Sequence, residues 1–334
     1  MPRVTRVSVV VPSFNSAPFL RQAIDSIRAQ TRPADELIVV DDGSADGSVE
    51  IARELGAACV RTPRNGGPAV ARNVGLRAAT GDVVAFLDAD DYWEPEHLAE
   101  TVGMLERFPA AAVAFGGVRQ FADGPDTADC VGAPPHVATA PLGEPSDIFW
   151  SLIRENLLSQ SATVARRDAL LDAGGYDETM RYSEDYDLWL RVALRASFVG
   201  VPHVTTNYRV HGAQTSRSAE RMVHGWWQAR SHARAAAATL WPADVRDRLD
   251  VALREAWEAD LRWAWRTCDR RTIEVVLAQQ PAVPDSRAIA ALWRKRLRRY
   301  WSFWVPAIAV WDRLPQRTKN VLKRPMQTLR GSGA

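Results

Sequence analysis

Residues 81–91 read GDVVAFLDADD. The stretch Val83-Val84-Ala85-Phe86-Leu87 is apolar without interruption, and Asp88, Asp90 and Asp91 follow it directly. A short continuous apolar run bounded by a glycine and by acids is the pattern of a strand buried on both faces, and such strands belong to parallel sheets covered by helices. The carboxylates at its end repel one another, so their crowding needs a reason. Upstream, the same rhythm repeats. Ala69–Ala79 has helical character after the turn Asn65-Gly66-Gly67-Pro68, and Ala58–Val60 is a short strand. Ser48–Gly56 is a helix, and Leu37–Val40 is a strand stopped by Asp41-Asp42-Gly43. In Pro18–Ala29 the residues Phe19, Ala23, Ile24 and Ile27 recur at helical spacing, and Val7–Val11 opens the series as a β-branched strand. Alternating strands and helices predict an α/β fold with a mostly parallel sheet and right-handed crossovers. Sites on such sheets lie beyond the carboxyl ends of the strands. Here those ends carry PSFN (12–15), DDG (41–43) and DADD (88–91), which should converge on one crevice.

Downstream the pattern is weaker. Phe115–Pro145 is rich in Gly, Pro, Asp and Ala and reads as sheet-edge strands and a mobile loop. Asp147–Ser159 reads as a helix. GGYDE (174–178), SEDYDLWLRVAL (183–194) and YRVHGAQTS (208–216) follow. Beyond about Glu220 the chain becomes rich in Ala, Arg and Trp, with Leu249, Leu253, Ala256, Trp257, Leu261 and Ala264 at helical spacing. The expected organisation is therefore an α/β domain over 1–219 and a helical C-terminal region over 220–334.

The 334 residues carry a net charge of only +2, unevenly spread. From Arg287 to Ala334 there are 12 Lys/Arg and a single acid, Asp312, which leaves 30 bases against 39 acids in the rest of the chain. Such a tail suits an anionic surface. The interleaved aromatics of residues 300–311 fit a membrane interface better than nucleic acid. The alternative is a core helix with a solvated basic face. No signal peptide is visible, and no stretch approaches the ~20 apolar residues that cross a bilayer. Cys59, Cys130 and Cys268 stand far apart and form neither a metal-spacing pair nor an even disulfide framework, which points to a reducing cytoplasm.

Each acidic motif has a chemical and a plain reading. Asp88 and Asp90 suit a hard divalent cation, Mg²⁺ or Mn²⁺, that also bridges to phosphates, while Asp90 or Asp91 could instead cap a helix beginning near Pro95. Asp42 could accept hydrogen bonds from a nucleobase or ribose, or form an Asp-Gly turn. Arg72 suits a diphosphate, or is a solvated helix residue. Ser183 reads as the N-cap of a helix that begins with Glu184-Asp185 and turns Leu188, Trp189, Val192 and Ala193 inward. Acids there are favoured by the helix dipole, or one of them serves as a general base. His211 could complete a metal shell or touch a phosphate, or be structural.

Taken together, VSVVVPSFN (7–15), LIVVDDGSADGS (37–48), NGGPAVARNVGL (65–76), GDVVAFLDADD (81–91), GGYDE (174–178) and SEDYDLWLR (183–191) resemble the family 2 glycosyltransferases. These are inverting, nucleotide-sugar-dependent enzymes with the Rossmann-like GT-A fold. The resemblance covers about the first 215 residues. It implies that Pro12, Phe14, Asn15, Asp42, Arg72, Asp88 and Ala89 line the nucleotide-sugar pocket. It further implies that Asp88 and Asp90 form a metal motif for Mn²⁺ or Mg²⁺, joined by His211, and that Asp185, beside Glu184, is the catalytic base. The implied partners are a UDP-, GDP- or dTDP-sugar and a glycan, lipid-linked or small-molecule acceptor. The tail 287–334 would make peripheral contact at the inner face of the membrane, and no nucleic acid is expected. A non-catalytic nucleotide-sugar- or membrane-binding module of the same fold is the alternative, opposed by the intact DADD and ED motifs. A dinucleotide oxidoreductase would need G-x-G-x-x-G after the first strand, where PSFNSAPF stands. A sugar nucleotidyltransferase would need a Gly-rich, Lys/Arg-bearing loop there.

Overall fold

In the computed structural model, which describes residues 5–122, 144–211, 218–266, 270–281, 283 and 285–298, the first apolar run becomes β1 (Val7–Ser13). β1 lies between β2 (Glu36–Asp41) and β4 (Val83–Phe86), parallel to both, and β2 pairs in parallel with β3 (Ala58–Arg61). Val7, Val9 and Val11 face one side of the sheet, where they pack with Leu20, Ala23, Ile24 and Ile27 of α1 (Ala17–Arg28) and with Leu98, Val102 and Leu105 of α4 (His97–Arg107). Val10 faces the other side, against Gly75 of α3 (Pro68–Ala78). This is why the strand is apolar at every position rather than at alternate ones. The remaining connection in this half is α2 (Ser48–Glu54).

Beyond β4 the sheet is mixed. β4 is antiparallel to β7 (Thr163–Arg166), β7 is antiparallel to β6 (Ala111–Ala122), β6 is parallel to β8 (Ser197–Val210), and β8 is antiparallel to β5 (Tyr92–Trp93). The order is β3-β2-β1-β4-β7-β6-β8-β5. The mostly parallel expectation thus describes the first four strands, and the second half departs from it. Two consequences place the site. Because β7 runs against β4, the 3-10 turn Gln160–Ala162 that precedes it lies at the carboxyl end of β4. Two reversals then restore the direction in β6 and β8, so the end of β8, with Arg209 and His211, reaches the same edge as the ends of β1, β2 and β4.

Three local expectations are corrected. Phe115–Ala122 belongs to β6, which is interior to the sheet and not at its edge; residues 123–143 lie outside the described set. Over 147–159 only α5 (Phe149–Leu152) is α-helical. From its end onward side chains take the carbonyls: Tyr186 Oη donates to Leu152 O, and Arg230 donates to Ile153 O and Arg154 O. No acid of the DADD run caps the helix near Pro95, since β5 intervenes and α4 follows Glu96 without a side-chain cap.

After β7 come α6 (Arg167–Asp172) and α7 (Glu184–Ala193), and β8 is followed by α8 (Ala219–Leu240), α9 (Ala243–Arg266) and α10 (Arg270–Ala278). The chain divides into two compact units, 1–246 and 247–334. α8 falls in the first unit, where buried Arg230 ties it to the end of α5 and His232 Nδ1 lies 2.9 Å from Asp187. In the second unit Leu249, Leu253, Ala256, Trp257, Leu261 and Ala264 are all buried, and Trp257 Nε1 donates to Val276 O at 2.7 Å.

Candidate active site

The parallel strands deliver their polar ends to one edge. At the end of β1, Pro12 is half-buried, Phe14 is exposed at 46 %, and Asn15 sits in the left-handed region with φ 50°. The neighbouring loop holds Asn15: its N–H donates to Ser44 Oγ and its Oδ1 accepts from Ala45 N–H, both at 2.9 Å. An aromatic ring this open at a strand end is available for stacking. At the end of β2, Asp42 is buried, and its carboxylate accepts from Gly66 N–H (3.0 Å), Gly67 N–H (2.7 Å) and Thr62 Oγ1 (2.7 Å). Asp42 therefore builds the turn that launches α3, with Pro68 in the first turn of the helix, where its fixed φ suits helix entry.

α3 carries Arg72 into the interior. The guanidinium donates to Asp88 Oδ1 at 2.6 Å and to Glu184 Oε1, and its side chain is only 6 % exposed. Burial disfavours the charge, but Asp88 and Glu184 outweigh it and hold the guanidinium well above its ordinary pKa. One buried cation thus joins the end of β4 to the start of α7. Glu184 is committed to this bridge. Asp185, next to it, is half-buried and accepts from Tyr186 N–H at 2.8 Å. Burial, and then the charge of Glu184, push its carboxyl up to about 7, against the pull of Arg72. A carboxyl near 7 that keeps an oxygen free of that contact is suited to proton transfer. Ser183 occupies the N-cap position but does not cap: its φ is 57°, and its buried Oγ has no hydrogen-bond partner.

The three aspartates of DADD separate into different environments. Asp88 faces Arg72. Asp91 is buried and accepts from Ser161 Oγ (2.6 Å) and Arg209 N–H (2.9 Å); burial and the charges of Asp90 and Asp88 push its carboxyl well above the usual range. Asp90 Oδ2 lies 3.0 Å from His211 Nε2, whose ring packs against Phe19 with centroids 4.9 Å apart. Ala89, between Asp88 and Asp90 in the chain, is buried. Asp90 and His211 thus supply two adjacent donor atoms, a carboxylate oxygen and an imidazole nitrogen. No group of three or more His, Cys, Asp or Glu side chains converges as a metal cage among the described residues. Two protein donors still fit Mg²⁺ or Mn²⁺, which take much of their shell from waters and substrate phosphates.

Two participants had weak or no sequence signal. Arg209, nine-tenths buried, donates its Nε to Asp90 O at 2.7 Å and packs over Phe19 and Phe121 at 4.8 and 4.7 Å. It sits two residues before His211, and that period-two spacing near the end of a strand was its one available signal. Ser161 binds both Asp91 and the Asp88 N–H, and nothing in its local sequence marks it.

A mixed sheet with acidic strand ends meeting a carboxylate-bearing helix start agrees with the GT-A fold that the sequence resemblance implied. Residues 8–169, just under half of the chain, match glycosyl transferase family 2, and the matches together support a family 2 glycosyltransferase. It is 29 % identical over 216 residues to an uncharacterized glycosyltransferase of Rickettsia prowazekii, an alignment covering 64 % of this chain and 66 % of that one. It is likewise 29 % identical over 218 residues to the succinoglycan biosynthesis protein ExoU of Rhizobium meliloti, covering 60 % of each. These matches thus span somewhat less than two thirds of the relatives' length. Among solved structures, S. aureus TarS 1–349 in complex with UDP-GlcNAc superposes with a TM-score of 0.65 at 20 % identity, covering 84 % of this chain and 82 % of that one, a likeness of fold.

Proposed function

We propose that this chain transfers a sugar, with inversion, from a nucleoside-diphosphate sugar to an acceptor hydroxyl in polysaccharide or other glycoconjugate synthesis. The observation that carries this is the buried Arg72 bridge, which fixes the DADD strand end and the start of α7 in one site. ExoU's succinoglycan role supports the polymer reading, and the UDP-GlcNAc bound by TarS supports the donor class.

Pro12, Phe14 and Asn15 form the nucleotide face, with Phe14 as the stacking surface. Asp42 shapes its wall through the Gly66-Gly67 turn. Arg72 and Asp88, with Ala89 between the acids, approach the ribose and diphosphate. Asp90 and His211 would hold Mg²⁺ or Mn²⁺, which when bound neutralises charge on the diphosphate. Asp185 takes the proton from the acceptor hydroxyl, whose oxygen attacks the anomeric carbon from the face opposite the nucleotide. The bond to the diphosphate breaks as the new glycosidic bond forms, and the nucleotide leaves with that electron pair. Glu184 acts through Arg72 by holding it against Asp88.

A screen of UDP-, GDP- and dTDP-sugars with Mg²⁺ or Mn²⁺, run on wild type, Asp90→Ala and Asp185→Ala, tests this. The expected result is one donor bound in a metal-dependent way by wild type, lost in Asp90→Ala, and bound without turnover by Asp185→Ala. No donor binding to wild type, or variants that match it, would overturn the proposal.

A further inference from the structure

α8 follows the last strand of the sheet and carries none of the family's motifs, yet one of its stripes lies against the turn that bears the proposed base. The Arg221 guanidinium sits over the Tyr182 ring at 5.5 Å. A Cβ placed on Gly225 would lie 2.6 Å from Tyr182 O, 2.7 Å from Ser183 Oγ and 3.0 Å from Ser183 Cβ, so only glycine permits this approach. His232 Nδ1 is 2.9 Å from Asp187 Oδ1, and the Arg230 guanidinium lies 6.0 Å from the Tyr186 ring centre. Residues 221, 225 and 232, at i, i+4 and i+11, share one helix face. Ala229, Ala233 and Ala237 are buried and small, which keeps the helices close.

The turn under this stripe is itself unusual. Ser183 is a non-glycine residue in the left-handed region, with a buried hydroxyl that pairs with nothing. Such a conformation is strained and persists only where its surroundings over-determine it. Gly225 is pressed against that turn, and the Arg72–Glu184 pair anchors the residue that follows Ser183.

We infer that α8 is a working part of the transferase site: Gly225, pressed against Tyr182-Ser183, is a positioning residue that sets where the Asp185 carboxylate stands. The inference rests on the reading of Asp185 as the base. It means that the catalytic unit extends past the motif-bearing segment, and that this helix tunes the acceptor side without touching the donor.

The test compares full-length wild type, Gly225→Ala and Gly225→Ala/Ser183→Gly. Asp185 is followed by ¹³C-carboxyl NMR titration, and transfer by kinetics with whichever donor the screen identifies. In Gly225→Ala, kcat should fall about 100-fold, the loss that a misplacement of about 1 Å can cause. Donor affinity should be retained, and the Asp185 midpoint should move away from that of wild type. The double variant removes the Ser183 Cβ and Oγ that the new methyl meets, and should recover part of both effects. Should Gly225→Ala not fold, Arg221→Ala removes only the contact on Tyr182 and carries the same comparison, with a smaller shift expected. An unchanged midpoint and unchanged kcat would overturn the inference, and so would donor affinity falling in step with kcat. The titration requires no donor. A wild type that transfers no sugar therefore defeats the proposed function, while the midpoint still decides whether α8 positions Asp185.

Discussion

Asp185 and Glu184 are adjacent acids at one helix start, and their surroundings give them different work. Glu184 is spent on Arg72, whereas Asp185 is held up near 7 by burial and by Glu184's charge. A base must be deprotonated to act. In the free enzyme, kcat/KM for transfer should therefore rise with pH through a midpoint of about 7 and level off above it. In Asp185→Asn the residual rate should be lower by 10²–10⁴-fold, roughly the worth of a positioned general base, and that limb of the profile should vanish. The sign for stability follows from the same shift. The folded chain holds the Asp185 proton up to about 7, while the unfolded chain releases it near the ordinary value of 3.8. Stability from this group is therefore lost as pH rises through that window. Asp185→Asn should raise the unfolding midpoint relative to wild type at pH 8 and much less at pH 5, as thermal scans at the two pH values will show. The sequence displayed the acids but not their partners, because those partners are brought in by long-range packing: Arg72 lies 112 residues from Glu184.

Among the elements, what could be read from the sequence was what periodicity encodes. β1, β2, β3 and the helices between them lie within one or two residues of the ends read from the apolar pattern, because buried parallel strands leave long unambiguous runs. The pattern of β6 reads as an edge strand because Gly116 and Gly117 interrupt it. Gly116 is required there by a neighbouring strand, its Cβ position lying 2.0 Å from Thr205 Oγ1. The local pattern runs past the end of α5 because the groups that bond the carbonyls there, Tyr186 and Arg230, are distant in sequence. Gly75 shows the same physics where a helix meets the sheet. A Cβ on it would lie 2.2 Å from Val10 Cγ1, and α3 also carries Arg72. Gly75→Ala gains helix propensity but forces α3 off β1. Overpacking of this kind costs about 1–3 kcal/mol, more than the roughly 1 kcal/mol that alanine gains over glycine in a helix. The variant should unfold at lower denaturant. Its donor affinity should also weaken as Arg72 moves, which calorimetric titration with the bound donor will measure.

For the molecule as a whole, the distribution of charge matters more than its sum. Residues 286–298 form a helix in the second unit with five bases and no acid. Ser286, Ala290 and Leu297 face inward, while Arg287, Arg294 and Lys295 are exposed and Leu292 is 66 % exposed. Arg296 stacks on Trp265 and Trp293 at 4.9 and 5.3 Å. Residues 299–334, which hold the rest of the basic and aromatic tail, lie outside the described set. Among the described residues no helix is long and apolar enough to cross a membrane. We propose that 287–334 binds anionic lipid headgroups. Each base near such a surface contributes about 1 kcal/mol, and an exposed leucine adds apolar contact that a phosphate backbone would not reward. The full chain should sediment with vesicles containing anionic lipid, should release as salt shortens the screening length below about 8 Å, and should lose this binding on truncation after Ser286. Leu292→Ser should weaken vesicle binding and leave any association with RNA unchanged. Vesicle binding that is indifferent to both the truncation and Leu292 would make this face a solvated surface, and a preference for RNA over vesicles would reassign the tail to nucleic acid.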